Sequence, residues 1–531
     1  MTSLPVLLVL FACGSATPSS GDPLPSGSFP CQPERPFPYA DGMPYLGVHG
    51  DPANSDLIDC ESAERFDADW HALEGLGIPQ PNTFSPDGAT TYVTTTNPEP
   101  DGCRVHALDV ATGSLLWCRT ADPSVSAGSV EVDLDGYLYF TVKGALVSLD
   151  ASGAERWSAA LPAAPDGGTD TAWGVHMSAA GHVVTVTAGG TVAVYDRDSG
   201  SPISALSIPD TWGYPPVEGL QLTVDPALLF PDSIVENIEA IYGVTNPDDA
   251  SSDIGAFLGA GAFVDNTVAI SPRGEIYVIG AGPDRETGAL VQIHLSDEDG
   301  SLTPGWVAPT RLGSATSPSV SADGRWVVVG DGASMERFLN PDAALGHVRI
   351  ADIDACDANT DADPDPAVCA FATNHAMERE PMAGAPAIGE DGTVYFYELS
   401  LGFGASETAR DVVALAPTGE ERWRTALPGD LDWTSVITVT RNHLIGTATA
   451  VTHSDARFLS LPLPGTSRDE LVILRREDGR LVSRQPIPDD SSATVTIGMD
   501  GSLYVGMLGL ISMLSTEERP QLGLLRLTPE G

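Results

Sequence analysis

The chain has 531 residues, with 73 Asp and Glu against 26 Lys and Arg, a formal net charge of −47. Phosphate backbones are bound by clustered cations, and a single lysine, Lys143, leaves no basic arm, so a nucleic-acid partner is not expected. Hydrophobic residues at 42% suffice for a packed core, while 55 Gly and 43 Pro point to many turns rather than long helices.

At the N-terminus the apolar run 6–12 is followed by Cys13. A short apolar run ending in a small residue reads as a secretory signal, too short to span a bilayer. Leu10-Phe11-Ala12-Cys13 resembles the lipobox of bacterial lipoproteins. That resemblance implies a signal segment over 1–13, a lipid on Cys13, and a flexible tether over 14–43. An ordinary cleaved signal peptide is the competing reading. No other stretch approaches ~18 unbroken apolar residues, so the membrane is expected to be met through the anchor only. The implied location is the periplasmic or cell-surface side of an outer membrane, with the protein a monomer.

Setting Cys13 aside leaves six cysteines in neighbouring pairs: Cys31 and Cys60, Cys103 and Cys118, Cys356 and Cys369. An even remainder fits three disulfides in an oxidising compartment, although six cysteines permit 15 pairings. There is no CxxC pair for a thiolate metal site.

From residue 82 onward one unit recurs every 40 to 50 residues. Its first half is a turn followed by an alternating strand, as in Asp135-Gly136-Tyr137-Leu138-Tyr139 and Asp500-Gly501-Ser502-Leu503-Tyr504. Gly supplies the positive φ of the tight turn, and β-branched and aromatic residues supply the strand. The second half is a hairpin ending in tryptophan, clearest over 105–117. Its Ala107, Asp109, Thr112, Gly113 and Trp117 resemble the tryptophan-docking motif of the pyrroloquinoline-quinone (PQQ) type propeller repeats. The lead-in Gly47-Val48-His49-Gly50-Asp51-Pro52-Ala53-Asn54-Ser55 resembles theirs too.

Units begin near 82, 123, 169, 261, 314, 382, 432 and 491. The expectation is an all-β, eight-bladed β-propeller of four-stranded antiparallel blades over 44–531. The last unit is one strand short, and residues 66–73 echo the missing one, so an N-terminal strand is expected to close the ring. Trp70, Trp117, Trp157 and Trp423 are expected to wedge between blades. Between the third and fourth units lies an insertion, 209–260, in which 231–242 has helical apolar spacing. It reads equally as a cover over one face or as a recognition surface.

The resemblance raises the question of a quinone. Quinoprotein enzymes carry adjacent cysteines over the cofactor and Ca²⁺-binding Glu, Asn and Asp beside a catalytic Asp. This chain has no Cys-Cys pair, and Glu131 and His176 are the obvious titratable groups on its inner strands. Many members of the repeat family bind no quinone and act as lipoprotein scaffolds. The expectation is therefore a non-catalytic envelope scaffold without a cofactor, binding an envelope protein or a small ligand. The alternative is a PQQ- and Ca²⁺-dependent dehydrogenase of alcohols or sugars. The acidic stretch 352–365 offers Asp357, Asp361, Asp363 and Asp365 at spacings that suit Ca²⁺, and competes with a solvated acidic hairpin.

Overall fold

The computed structural model describes residues 29–530 apart from 97–101, 121–127, 166, 215–231, 243–262, 265, 282–286, 311–313, 315, 332–345, 363–367, 378–381, 384, 400–410, 429–430 and 459–460. Eight antiparallel sheets follow one another along the chain, each a blade of four strands, with one extra strand paired in blades 6 and 7. Blade 1 comprises Thr83–Phe84, Thr90–Thr94, Cys103–Asp109 and Leu115–Thr120, in that order from the axis outward. Blade 8 takes Thr496–Ile497, Leu503–Met507 and Gly523–Pro529 from the C-terminus. Its outermost strand is Phe66–Ala72, paired from Phe66 with Pro529 to Ala72 with Leu524. The strand echoed at 66–73 thus closes the ring and leaves no blade unfinished. Among the described residues no helix is long and apolar enough to cross a membrane.

The middle strands are buried on both faces, because each blade packs against two neighbours; Leu138–Val142 and Val183–Thr187 are buried throughout. Outer strands alternate with solvent, as Leu115–Thr120 does. Blades are joined by a recurring contact. Trp117 Nε1 donates to Ala151 O of the next blade at 3.0 Å, Trp157 Nε1 to Arg197 O at 3.1 Å, and Trp423 Nε1 to Arg476 O at 3.1 Å. Trp70, on the closing strand, donates to Val110 O at 3.1 Å and so links blade 8 to blade 1.

The turn that receives each ring needs glycine twice over. Gly113 has φ +68°, and a Cβ there would sit 2.8 Å from the Trp70 ring. Asp109 Oδ1 holds that turn by accepting from the Thr112 amide at 2.9 Å and its hydroxyl at 2.7 Å. Elsewhere other side chains take the tryptophan's place: Ile203 lies over Gly300, and Thr373 over Gly419.

Because strands alternate in direction, the connections divide between two faces. First-to-second and third-to-fourth strand connections fall on one, here the turn face. Second-to-third and blade-to-blade connections fall on the other, the loop face. Most turn-face connections are tight, 353–372 in blade 5 being a long one, whereas among the described residues the loop face carries the helix Asp232–Tyr242 between blades 3 and 4 and the connection 508–522 in blade 8. It also carries the extended hairpin His443–Phe458 and Leu461–Arg475 of blade 7.

Two sequence expectations are corrected. Residues 29–43, assigned to the tether, pack against the ring. Arg35 Nε and Nη2 donate to the carbonyls of Met43 and Pro44 at 2.7 and 2.6 Å, and Tyr39 and Met43 are buried. The acidic stretch at 352–365 is neither loop nor hairpin where it is described, but a helix, Ile353–Ala362. Ile353 and Cys356, three apart, are both buried against blades 4 and 5, and that helical spacing outweighs the turn tendency of the aspartates.

Candidate functional site

Residues 29–62 form a strap across the turn-face mouth of the ring. Cys31 N donates to Met499 O of blade 8 at 2.9 Å, and Leu134 N of blade 2 donates to Pro38 O at 2.8 Å. Then successive strap carbonyls visit successive blades. Pro52 O accepts from Ile270, Ala53 O from Val320, Ser55 O from Ile388, and Asp56 O from Val439, at 2.6 to 2.9 Å. These four amides belong to blades 4, 5, 6 and 7. To follow so tight a circle the backbone takes φ +54° at Asn54 and +53° at Asp56, where Asn and Asp are the most tolerant non-glycine residues. The Cys31–Cys60 disulfide ties the two ends of the strap together.

A buried polar network locks the strap. Asp56 accepts from Tyr45 Oη at 3.0 Å and from Gly50 N at 3.2 Å, and lies 2.8 Å from His49 Nδ1. His49 Nε2 is 2.9 Å from Ser317 Oγ. Asn54 Nδ2 donates to Val268 O and Pro318 O at 2.8 and 3.0 Å, and Asn54 Oδ1 meets His176 Nε2 at 2.8 Å. His176 Nδ1 is 3.3 Å from Glu131 Oε2, while Glu131 Oε1 accepts from Tyr39 Oη and, at 3.1 Å, from Met177 N. Burial, then the neighbouring carboxylate, pushes the Tyr39 and Tyr45 hydroxyls well above their usual pKa, so both act as donors.

Glu131 and His176, the inner-strand groups that could have served a quinone and calcium, spend Glu131 Oε1 and both His176 nitrogens within this network. Glu131 Oε2 is buried beside His176 and accepts no hydrogen bond. Among the described residues no group of three His, Cys, Asp or Glu is placed to hold a metal ion.

The loop face is locked differently. The helix Asp232–Tyr242, carried by the insertion between blades 3 and 4, lands on the 508–522 connection of blade 8, on the far side of the ring. Its Asn237 is fully buried. Asn237 Nδ2 lies 3.1 to 3.3 Å from the carbonyls of Ser512, Met513, Ser515 and Glu518, which share its two N–H groups at the end of the helix Leu510–Met513. Arg519 closes the latch on Asn237 Oδ1 at 3.0 Å and on Glu236. Asn237→Ala removes the two N–H groups that these carbonyls share, and the helix is expected to release, with cleavage at 232–242 by a nonspecific protease rising about tenfold or more. Unchanged cleavage would show that apolar packing alone holds it.

Beside the latch is a cavity of about 410 Å³, lined by Asp469, Asp489, Glu518, Arg468 and Arg519 among others. Asp469 accepts from Thr449 Oγ1 at 2.6 Å and Ser467 Oγ at 3.0 Å, and Asp489 Oδ2 from the amides of Gln521 and Leu522 at 2.7 and 3.3 Å. Burial raises the pKa of both, that of Asp469 to about 7 with a further push from the Asp489 charge.

The structure pairs Cys31 with Cys60, Cys103 with Cys118 and Cys356 with Cys369. Asp357 does not face a loop: its Oδ1 accepts from Trp306 Nε1 and Gln292 Nε2, each at 3.0 Å, and pins the helix to blade 4. Asp361 lies in the same helix, while Asp363, Asp365 and the lipidation candidate Cys13 lie outside the described residues. Asn54, Asp56, His49, Asn237 and Asp469 were not singled out from sequence. Only the lead-in at 47–55 hinted at two of them.

The fold and its docked turns define an eight-bladed β-propeller. Residues 101–203 match the family model described as outer membrane protein assembly factor BamB. No curated protein matches the sequence. Among solved structures, quinohemoprotein alcohol dehydrogenase from Comamonas testosteroni is similar with TM-score 0.56 at 12% identity, covering 93% of this chain and 81% of that one. A europium-containing methanol dehydrogenase is similar with TM-score 0.51 at 13% identity, over 92% and 98%. BamB from Moraxella catarrhalis aligns with TM-score 0.46 at 14% identity, over 88% and 100%. At such identities the likeness is one of fold.

Proposed function

We propose that the chain is a non-catalytic binding scaffold of the cell envelope, exported and held by a lipid on Cys13, whose loop face receives a protein partner. The observation that carries this reading is the difference between the two faces. The turn-face mouth is strapped, and His49, Asp56 and His176 are tied into the strap's own hydrogen-bond network. The opposite face carries the helix Asp232–Tyr242 and the 508–522 connection, braced across the ring by Asn237. Long connections on a rigid ring are where recognition surfaces arise. The family model matched over 101–203 is named for an outer-membrane assembly factor, which supports a protein partner in the envelope. A net charge of −47 favours a partner with a basic surface.

The test is site-specific photo-crosslinking in cells. A photoreactive residue at Thr211 or Glu517, both exposed on the loop face, is expected to yield one discrete protein adduct, and one at Ser152 on the turn face none. Adducts from Ser152 alone would overturn the assignment of the face. Dye-linked oxidation of alcohols or sugars by the purified protein with PQQ and Ca²⁺ would overturn the scaffold in favour of a dehydrogenase.

A further inference from the structure

We propose that the turn face lies against a lipid surface of low charge, with Phe37, Leu115, Leu116 and Leu134 at the contact; this rests on the reading of Cys13 as a lipid anchor. Among the described residues six large apolar side chains are exposed, and five of them stand on or beside turn-face connections of blades 1 to 3. Phe37 is 50% exposed on the strap, over Gly181 of a blade 3 turn. Leu134 is 39% exposed in the first turn of blade 2. Leu115 and Leu116, 54% and 53% exposed, open the outer strand of blade 1, and Ile203 opens that of blade 3.

Some carboxylates of this face meet arginines, while Asp87, Asp109, Asp150 and Asp196 are held by hydroxyls and backbone amides. Arg422 meets Asp391 at 2.5 Å, Arg526 meets Asp500 at 2.5 Å, and Arg197 lies 3.7 Å from Asp135. A protein of net charge −47 that exposes apolar groups on this face suits a zwitterionic surface better than an anionic one. The chain also enters the ring on this side, with Cys31 bonded to Met499 in a blade 8 turn. The stretch 13–29 reaches about 55 Å when fully extended, so a lipid on Cys13 lets the membrane meet the turn face, where the chain enters. A single acyl chain binds a bilayer only marginally, and apolar side chains on the same face supply a second contact.

The test uses the full, lipid-bearing chain on phosphatidylcholine vesicles, with an environment-sensitive dye on Leu134→Cys, Leu116→Cys or Thr211→Cys. Dye emission is expected to rise about twofold at positions 134 and 116, and to be quenched there by a headgroup-depth doxyl lipid, with no change at 211. Adding anionic lipid at low salt is expected to weaken that response. Vesicle flotation without any response at 134 and 116 overturns the proposal and leaves the anchor standing. Failure to float overturns both. A dye at 134 already shielded without vesicles, with doubled mass in solution, means that a second copy covers the face and overturns it as well. So does a dye that responds only to added envelope protein.

Discussion

The Asp56→Ala variant is expected to lose about 3–5 kcal/mol of stability, because it removes a fully buried carboxylate and strands the groups it serves. Tyr45 Oη and Gly50 N lose their acceptor, and His49 loses its charged neighbour. Alanine must also hold φ +53°, which costs about 1–2 kcal/mol more than in an ordinary region. Asp56→Asn keeps the shape, tolerates the backbone and retains one acceptor oxygen, so its loss should be well under that of the alanine variant. Urea unfolding midpoints measure the difference, and hydrogen exchange locates it. Protection is expected to vanish first at the amides of Ile270, Val320, Ile388 and Val439, which the strap carbonyls hold. An unchanged midpoint with full protection there would mean that the strap lies on the ring without stabilising it.

Asp469 should make the protein less stable as pH rises from about 4 to about 7. Burial, with a contribution from Asp489, raises its folded pKa to about 7, above the ordinary value of 3.8. Below about pH 4 folded and unfolded chains both hold the proton, and the folded state is at no disadvantage. As pH climbs, the unfolded chain releases a proton that the folded one must keep, and stability falls until about pH 7. Asp469→Asn removes that slope and is expected to gain about 2–4 kcal/mol at pH 8, with little change at pH 4. Asp391 and Asp478 work in a different window: their folded pKa is lowered to about 2, so the stability they bring is lost only as pH falls through that value. Equal denaturation midpoints of wild type and Asp469→Asn at pH 8 would show that the cavity hydrates the carboxylate fully.

Both predictions concern residues that sequence reasoning passed over, and the reason is physical. The docked turn is local: Asp109, Thr112 and Gly113 lie within five residues and carry their own hydrogen bonds and positive φ, so their spacing was readable. Trp117 reaches Ala151, one blade away, and the repeat itself announces that contact. The strap has no such signature. Asn54 bonds to positions 176, 268 and 318, in three parts of the ring, and nothing in residues 47–55 states which blades they will face. Asn237 is a plain mid-helix asparagine until its helix meets the carbonyls of 512–518. Asp469 looks like any surface aspartate in an acidic chain until two connections bury it beside Asp489.

Sequence by itself determined the eight-bladed ring, its closure by a strand at 66–72 and its tryptophan-docked turns, because each follows from short-range periodicity repeated many times. Tertiary structure alone decided that residues 29–62 would strap one mouth, that Glu131 and His176 would be drawn into that network, and that the insertion would brace the other face. Many of those contacts join distant segments, such as Asn54 with His176 and Asn237 with Ser512. Their energy lies in buried polar pairing that exists only once the ring has closed.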